Sequence, residues 1–170
     1  WFMAISIINI IIGYFIVKYL GRKNDLSIKK DKIEDIYLIL LITGFIGARI
    51  SYGILNINSY IDNMFYLIKL THFNLNIAGG VITGLIVIYL LSKKYKESFI
   101  SLFEIYVVPL YFSMISGVWI LLFDGLLIGK NYEGFLSFDY LGTSRHLVPL
   151  YLSFIFLISL SLQLLINKNH

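Results

Sequence analysis

Cysteine is absent from the 170 residues. That excludes a disulfide framework, a cysteine nucleophile and a zinc–thiolate site. Charge is scarce as well. Asp, Glu, Lys and Arg make up 14% of the chain, where a soluble domain carries about a quarter. No group of His, Asp and Glu has the spacing of a metal site. Neither a Gly-x-Ser-x-Gly elbow nor a glycine-rich phosphate loop occurs. No metal and no other cofactor is therefore expected. The net charge of +4 gathers in short loops, a pattern that encodes membrane topology and calls for no nucleic acid.

What is present is apolar surface. The chain is 58% hydrophobic, with a mean hydropathy of +0.81. This is the composition of an all-α integral membrane protein, and the length allows one domain, residues 1–170. Five apolar runs are long enough to span: about 2–20, 36–56, 77–92, 98–123 and 147–166. The first ends in Lys18, Arg22 and Lys23, the reverse polarity of a cleaved signal peptide. The chain starts at the membrane edge without an initiator methionine, so preceding sequence is expected. Met64 to Leu70 is too short to span and predicts a small interfacial helix. Pro109 falls inside the fourth run, where it can kink a helix without ending it.

The loops carry five, one, three and two Lys or Arg in chain order. By the positive-inside rule the first and third are cytoplasmic. The N-terminus is then outside and the C-terminus inside.

The second run holds an arginine near its middle, in Thr43-Gly44-Phe45-Ile46-Gly47-Ala48-Arg49-Ile50-Ser51-Tyr52-Gly53. A charge within hydrocarbon is costly and marks a functional site by default. Gly44 with Ala48, and Gly47 with Ser51, lie i to i+4 on one helix face and let another backbone approach. Gly80 and Gly84 offer a similar face on the third run. Arg49 is expected to point into the bundle. There its planar fork either binds a lipid phosphate or pairs with Asp124 or Glu104 and caps carbonyls. Ser144-Arg145-His146, at the entrance to the fifth run, reads as a second headgroup contact or as interfacial anchors. Asp124-Gly125 and Gly129-Lys130 read as a headgroup-approaching turn or as plain turns. His72 lies alone in a loop.

Together these pieces resemble the prolipoprotein diacylglyceryl transferases, bacterial membrane enzymes that move diacylglycerol from phosphatidylglycerol onto a lipoprotein cysteine. Trp1-Phe2-Met3-Ala4 resembles the family's Trp-Tyr-Gly-Leu. Gly47-Ala48-Arg49-Ile50-Ser51-Tyr52, followed by Leu55-Asn56, resembles its Gly-Ala-Arg-x-Gly-Tyr-x-x-x-Asn. Leu75-Asn76-Ile77-Ala78-Gly79-Gly80 with Gly84 resembles its Leu-Ser-Phe-His-Gly-Gly-x-x-Gly. Gly117 through Gly129 sits where its Gly-Arg-x-Gly-Asn-Phe-x-Asn-Gly-Glu-x-x-Gly belongs. Arg145-His146 with Leu150-Tyr151 resembles its Arg-His-Pro-x-x-Leu-Tyr-Glu.

The resemblance implies a bundle of about five transmembrane helices in the bacterial plasma membrane. It implies an anionic, phosphatidylglycerol-like lipid bound through Arg49, Arg145, Gly79, Gly80, Gly125 and Gly129, with Tyr52, Asp124 and His146 nearby. A lipoprotein substrate or other membrane-complex subunits are the protein partners it suggests. The departures point away from catalysis. Ala78 replaces the family's histidine, Val118 its arginine, Leu121 its asparagine, Leu126 and Leu152 its two glutamates, and Phe2 its tyrosine. Transfer requires a thiolate nucleophile and donors aimed at the charge growing on the leaving phosphate. The expected role is thus an accessory or structural lipid-binding component. The alternative is an active transferase with a rearranged site in which His146 or His72 replaces the missing histidine. A small transporter subunit is a third reading, disfavoured by the few polar residues in the spans.

Overall fold

The computed structural model describes the chain except residues 1, 25, 27, 60–73 and 169–170. Among the described residues five long helices run in chain order: α1 (Phe2–Lys23), α2 (Lys30–Leu55), α3 (Ile77–Tyr95), α4 (Phe99–Phe123) and α5 (Val148–Lys168). A short 3₁₀ turn, Ile57–Ser59, follows α2, and two strands, β1 (Ser137–Tyr140) and β2 (Thr143–His146), lie between α4 and α5. The shortest helix, α3, has 19 residues and the longest, α2, has 26. That is about 28 to 39 Å at the helical rise, matching a hydrocarbon core of about 30 Å, which helices of about 17 to 25 residues cross. All five are apolar enough to do so. The expected interfacial helix at Met64 to Leu70 lies outside the described residues.

The helices run past the apolar stretches that announce them, because lysine stems continue a helix while their charged heads reach water. Helix α3 carries Lys93 and Lys94 in its last turn and stops at Lys96, which takes a left-handed φ of 58°. Its closing carbonyls are satisfied by the N–H groups of Lys96 and Glu97. Helix α4 remains continuous through Pro109.

The chain divides into two compact units. Residues 17–106 form one of them. Its core is Val17, Ile33, Ile36, Leu102 and Ile105, all nearly inaccessible. Gly21 faces Ile33 so closely that a Cβ there would stand 2.9 Å from the isoleucine side chain. Tyr106 Oη donates to the Ile33 carbonyl at 2.9 Å, and Lys18 pairs with Glu34 at 3.5 Å. Helices α2 and α3 pack antiparallel through small residues. A Cβ on Gly80 would meet the Gly44 carbonyl at 3.0 Å and Ala48 Cβ at 3.3 Å. A Cβ on Gly79 would overlap Ser51, and one on Gly47 would overlap Thr83. Gly84, by contrast, faces open space. The close face of α3 is therefore Gly79 with Gly80, and the expected Gly80–Gly84 pairing is not the contact made.

Residues 1–16 and 107–170 form the other unit. Two polar links hold its helices. Ser116 Oγ donates to Asn9 Oδ1 at 2.9 Å, and Trp119 Nε1 donates to Ser153 Oγ at 2.9 Å. Asn9 and Ser153 are both buried, where an interhelical hydrogen bond replaces an otherwise unsatisfied polar group.

The stretch 124–145, read from sequence as a glycine-bearing polar loop, contains a β-hairpin. Strands β1 and β2 pair antiparallel from Ser137↔His146 to Tyr140↔Thr143. The two linking residues, Leu141 and Gly142, have φ of 50° and 77°. Positive φ at both positions matches the right-handed twist of a tight hairpin. The chain at 130–132 lines the other edge of β2. Tyr132 N–H donates to the Ser144 carbonyl at 2.9 Å, and His146 N–H to the Lys130 carbonyl at 3.1 Å.

Candidate functional site

Arg49 is buried, 8% exposed. Its Nη1 donates to the Asn74 carbonyl at 2.8 Å. One residue back on α2, the Ala48 carbonyl accepts from Asn76 N–H at 3.0 Å. Asn76 is also the N-cap of α3, its side chain accepting from Gly79 N–H at 3.1 Å. The strap 74–76 is thus tied to α2 by Arg49 and Ala48, and it starts α3 beside them. Asparagine caps because its short side chain reaches an orphan N–H of the first turn. Gly79 and Gly80 in that turn let α3 approach α2.

The position of Arg49 along its helix differs from the sequence expectation. The apolar run places it near the middle, but α2 extends from Lys30 to Leu55. Arg49 then stands six residues, about 9 Å, from the helix's C-terminal end. Tyr52, one turn further along, is half-buried. Its carbonyl accepts from both N–H and Nδ2 of Asn56, at 3.0 and 2.9 Å, which closes the helix.

Arg145, His146 and Gly129 belong to the other unit and are gathered around β2. Arg145 Nε donates to Thr143 Oγ1 at 3.0 Å and its Nη1 to the Gly129 carbonyl at 3.2 Å. The His146 ring stacks on Tyr132, with centroids 3.8 Å apart and planes 10° from parallel. Its Nδ1 lies 3.4 Å from Tyr151 Oη. Gly129 is buried against the His146 backbone, which a Cβ there would overlap. Asp124 and Gly125 end α4. Gly125, at φ 72°, donates to the Leu122 carbonyl, and Leu126 donates to Leu121. These two bonds form the Schellman closure that a left-handed glycine permits. Asp124 Oδ2 is shielded from solvent. Arg145, His146 and Gly129 therefore form one cluster, and Asp124 with Gly125 a helix stop. His72 lies outside the described residues. Among the described residues no group of three His, Cys, Asp or Glu could hold a metal ion.

Several contributors carry no obvious signal. Asn76 could have been found as an asparagine directly before an apolar run. Asn74 acts through its backbone carbonyl, which no sequence pattern marks. Tyr132 meets His146 only because the 130–132 segment pairs with β2, a contact across fourteen residues of chain.

Among the described residues, five helices long and apolar enough to cross a bilayer define a multi-pass membrane protein. The family model described as prolipoprotein diacylglyceryl transferase matches residues 1–170, and the chain belongs to that family. Relatives named phosphatidylglycerol–prolipoprotein diacylglyceryl transferase are similar to this chain. That of Rickettsia conorii is 29% identical over 106 residues, 62% of this chain and 41% of the relative. That of Clostridium botulinum (strain Langeland) is 26% identical over 119 residues, 70% of this chain and 46% of the relative. That of Finegoldia magna is 26% identical over 119 residues, 70% and 47%. The chain thus spans less than half the length of these relatives.

Proposed function

We propose that this protein binds anionic phospholipid and has lost the standard transfer chemistry of its family, acting as an accessory or structural membrane component. The observation that carries the lipid reading is Arg49. A cation is held in an apolar helix, about 9 Å from its end, with its fork oriented by the Asn74 carbonyl. The names of the relatives specify phosphatidylglycerol, whose phosphate suits a planar guanidinium. Arg145, anchored on Gly129 and Thr143, is a second cation in its own unit for the same class of headgroup.

The loss of chemistry rests on Ala78, Val118, Leu121, Leu126 and Leu152 at positions where the family motifs carry histidine, arginine, asparagine and glutamates. Removing a single transition-state donor typically costs about a hundred- to a thousandfold in rate. One observation favours the alternative of an active, rearranged site: the His146 imidazole is held between Tyr132 and Tyr151, as a general base would need to be. The reading also takes the whole chain as one membrane domain in a bacterial plasma membrane, N-terminus outside. In residues 17–106 the antiparallel α2 and α3 bring Lys29, Lys30 and Lys32 to the same end as Lys93, Lys94 and Lys96, which supports a cytoplasmic basic face.

Two measurements test this. Arg49→Ala should abolish co-purification of phosphatidylglycerol with the protein; retained lipid sinks the phosphate role. Transfer of diacylglycerol from phosphatidylglycerol to a lipobox peptide should stay at background, and robust turnover that falls in His146→Ala would establish the active alternative.

A further inference from the structure

The hairpin breaks two local rules at its apolar residues. Leu141 occupies a left-handed φ of 50°, a conformation that β-turns reserve for Asn, Asp or Gly. It is also 89% exposed, and Phe135, at the bend leading into β1, is 98% exposed. Neither side chain finds cover among the described residues, so neither contributes packing that would offset the strain or the hydrated apolar area. A local rule broken without compensation inside the fold points to a contact made outside it.

We propose that Leu141 and Phe135 seat in the lipid interface, making the hairpin a membrane-surface anchor. Continuity with the lipid-facing surface selects this occupant. The hairpin lies between the end of one spanning helix at Phe123 and the start of another at Val148, so both ends of its segment are held at the membrane surface. Exposed apolar side chains continue from α4 into the segment, at Phe123 (69%) and Leu126 (56%). Ser137 and Asp139 between the two anchors, and Thr143 and Ser144 just beyond Leu141, are polar, as in an element lying in the headgroup layer. Aromatic and aliphatic side chains at that depth exchange water for acyl chain while the backbone keeps its headgroup contacts. Seated there, the hairpin also holds the Arg145 cluster beside lipid phosphate, but the anchor stands whether or not Arg145 binds lipid.

Because the chain has no cysteine, the test is direct. Single-cysteine variants Leu141→Cys, Phe135→Cys and Asp139→Cys, each labelled with the environment-sensitive fluorophore NBD, are reconstituted into phosphatidylethanolamine–phosphatidylglycerol vesicles. The expected result is blue-shifted emission at 141 and 135, relieved from iodide quenching and quenched by lipids bearing a shallow nitroxide, with the 139 label remaining water-like. Equal, water-like emission and full iodide access at all three positions would overturn the proposal. So would a blue shift at 141 and 135 that the nitroxide lipids fail to quench, which would assign the cover to a protein partner or a second copy. Failure of the Arg49 lipid experiment leaves these readouts unchanged, so the two ideas fall separately.

Discussion

Arg49 is a residue whose loss is felt in two ways. Its Nη1 hydrogen bond fixes the Asn74 carbonyl and hence the strap that begins α3. Hydrogen bonds to charged groups contribute about 1.5–3 kcal/mol. Arg49→Ala is therefore expected to lower the thermal stability of the detergent-solubilised protein by an amount in that range, apart from any lipid effect. Arg49→Lys keeps the charge but not the planar fork. It should retain part of the stability while weakening lipid retention, and equal retention with lysine would show that only charge matters. Leu141 predicts the opposite sign. Leu141→Asn puts an asparagine directly before Gly142, the preferred pair for this turn, and relieves about 1 kcal/mol of left-handed strain. In detergent the variant should unfold at a higher temperature than the parent. In vesicles it should lose the membrane contact of the tip. A variant that is less stable in detergent would show that Leu141 is packed within the fold and would count against its strain.

At the scale of elements, the α2–α3 seam is set by where glycine stands. Gly79 lies against Ser51 and the Gly47 carbonyl, the latter 3.1 Å from a Cβ position, whereas Gly84 has nothing within 4 Å. Gly79→Ala should force the helices apart and cost about 1–3 kcal/mol, the usual range for overpacking. Gly84→Ala should be neutral or gain up to about 1 kcal/mol from improved helix propensity. Melting both variants in one detergent checks the contrast, and equal behaviour would mean that α3 packs through another face.

This seam also shows how far the chain can be read from its sequence. The small residues of α2 were visible at helical spacing, because i to i+4 periodicity is a local property. Which glycines of α3 meet them was not, because that depends on the rotation of α3 about its axis, which the Asn76 cap and the Asn74 strap fix. The spans were legible from hydropathy alone, and the family from short motifs in order. The hairpin was hidden, since Ser137–Tyr140 and Thr143–His146 are too short and polar for a period-two pattern to stand out. Its turn was hidden too, because leucine occupies a site where asparagine would have announced it.

At the scale of the whole molecule, the distribution of cations predicts an orientation. Lys18, Arg22, Lys23, Lys29, Lys30 and Lys32 lie from late α1 to early α2, and Lys93, Lys94 and Lys96 close α3. Acidic residues share this end, with Glu34 on Lys18 and Asp35 on Lys32. The positive-inside bias, however, counts Lys and Arg near the span ends and gives acids little weight. The described loop between α4 and α5 holds only Lys130 and Arg145 as cations, and the bias then predicts that α4 crosses and leaves this loop outside. Arg145 is engaged by Gly129 and Thr143. The prediction is that a cysteine placed at Lys96 resists a membrane-impermeant maleimide in intact cells and reacts only after permeabilisation, while one at Asp139, exposed on β1, reacts at once. The reverse pattern would invert the protein and move the Arg145 cluster to the cytoplasmic leaflet. Labelling of both sites in intact cells would mean that α4 does not cross the bilayer. Its 25 residues, apolar on both sides of Pro109, argue against that outcome, because a helix of about 37 Å with so little charge has no comparably favourable place to lie in water.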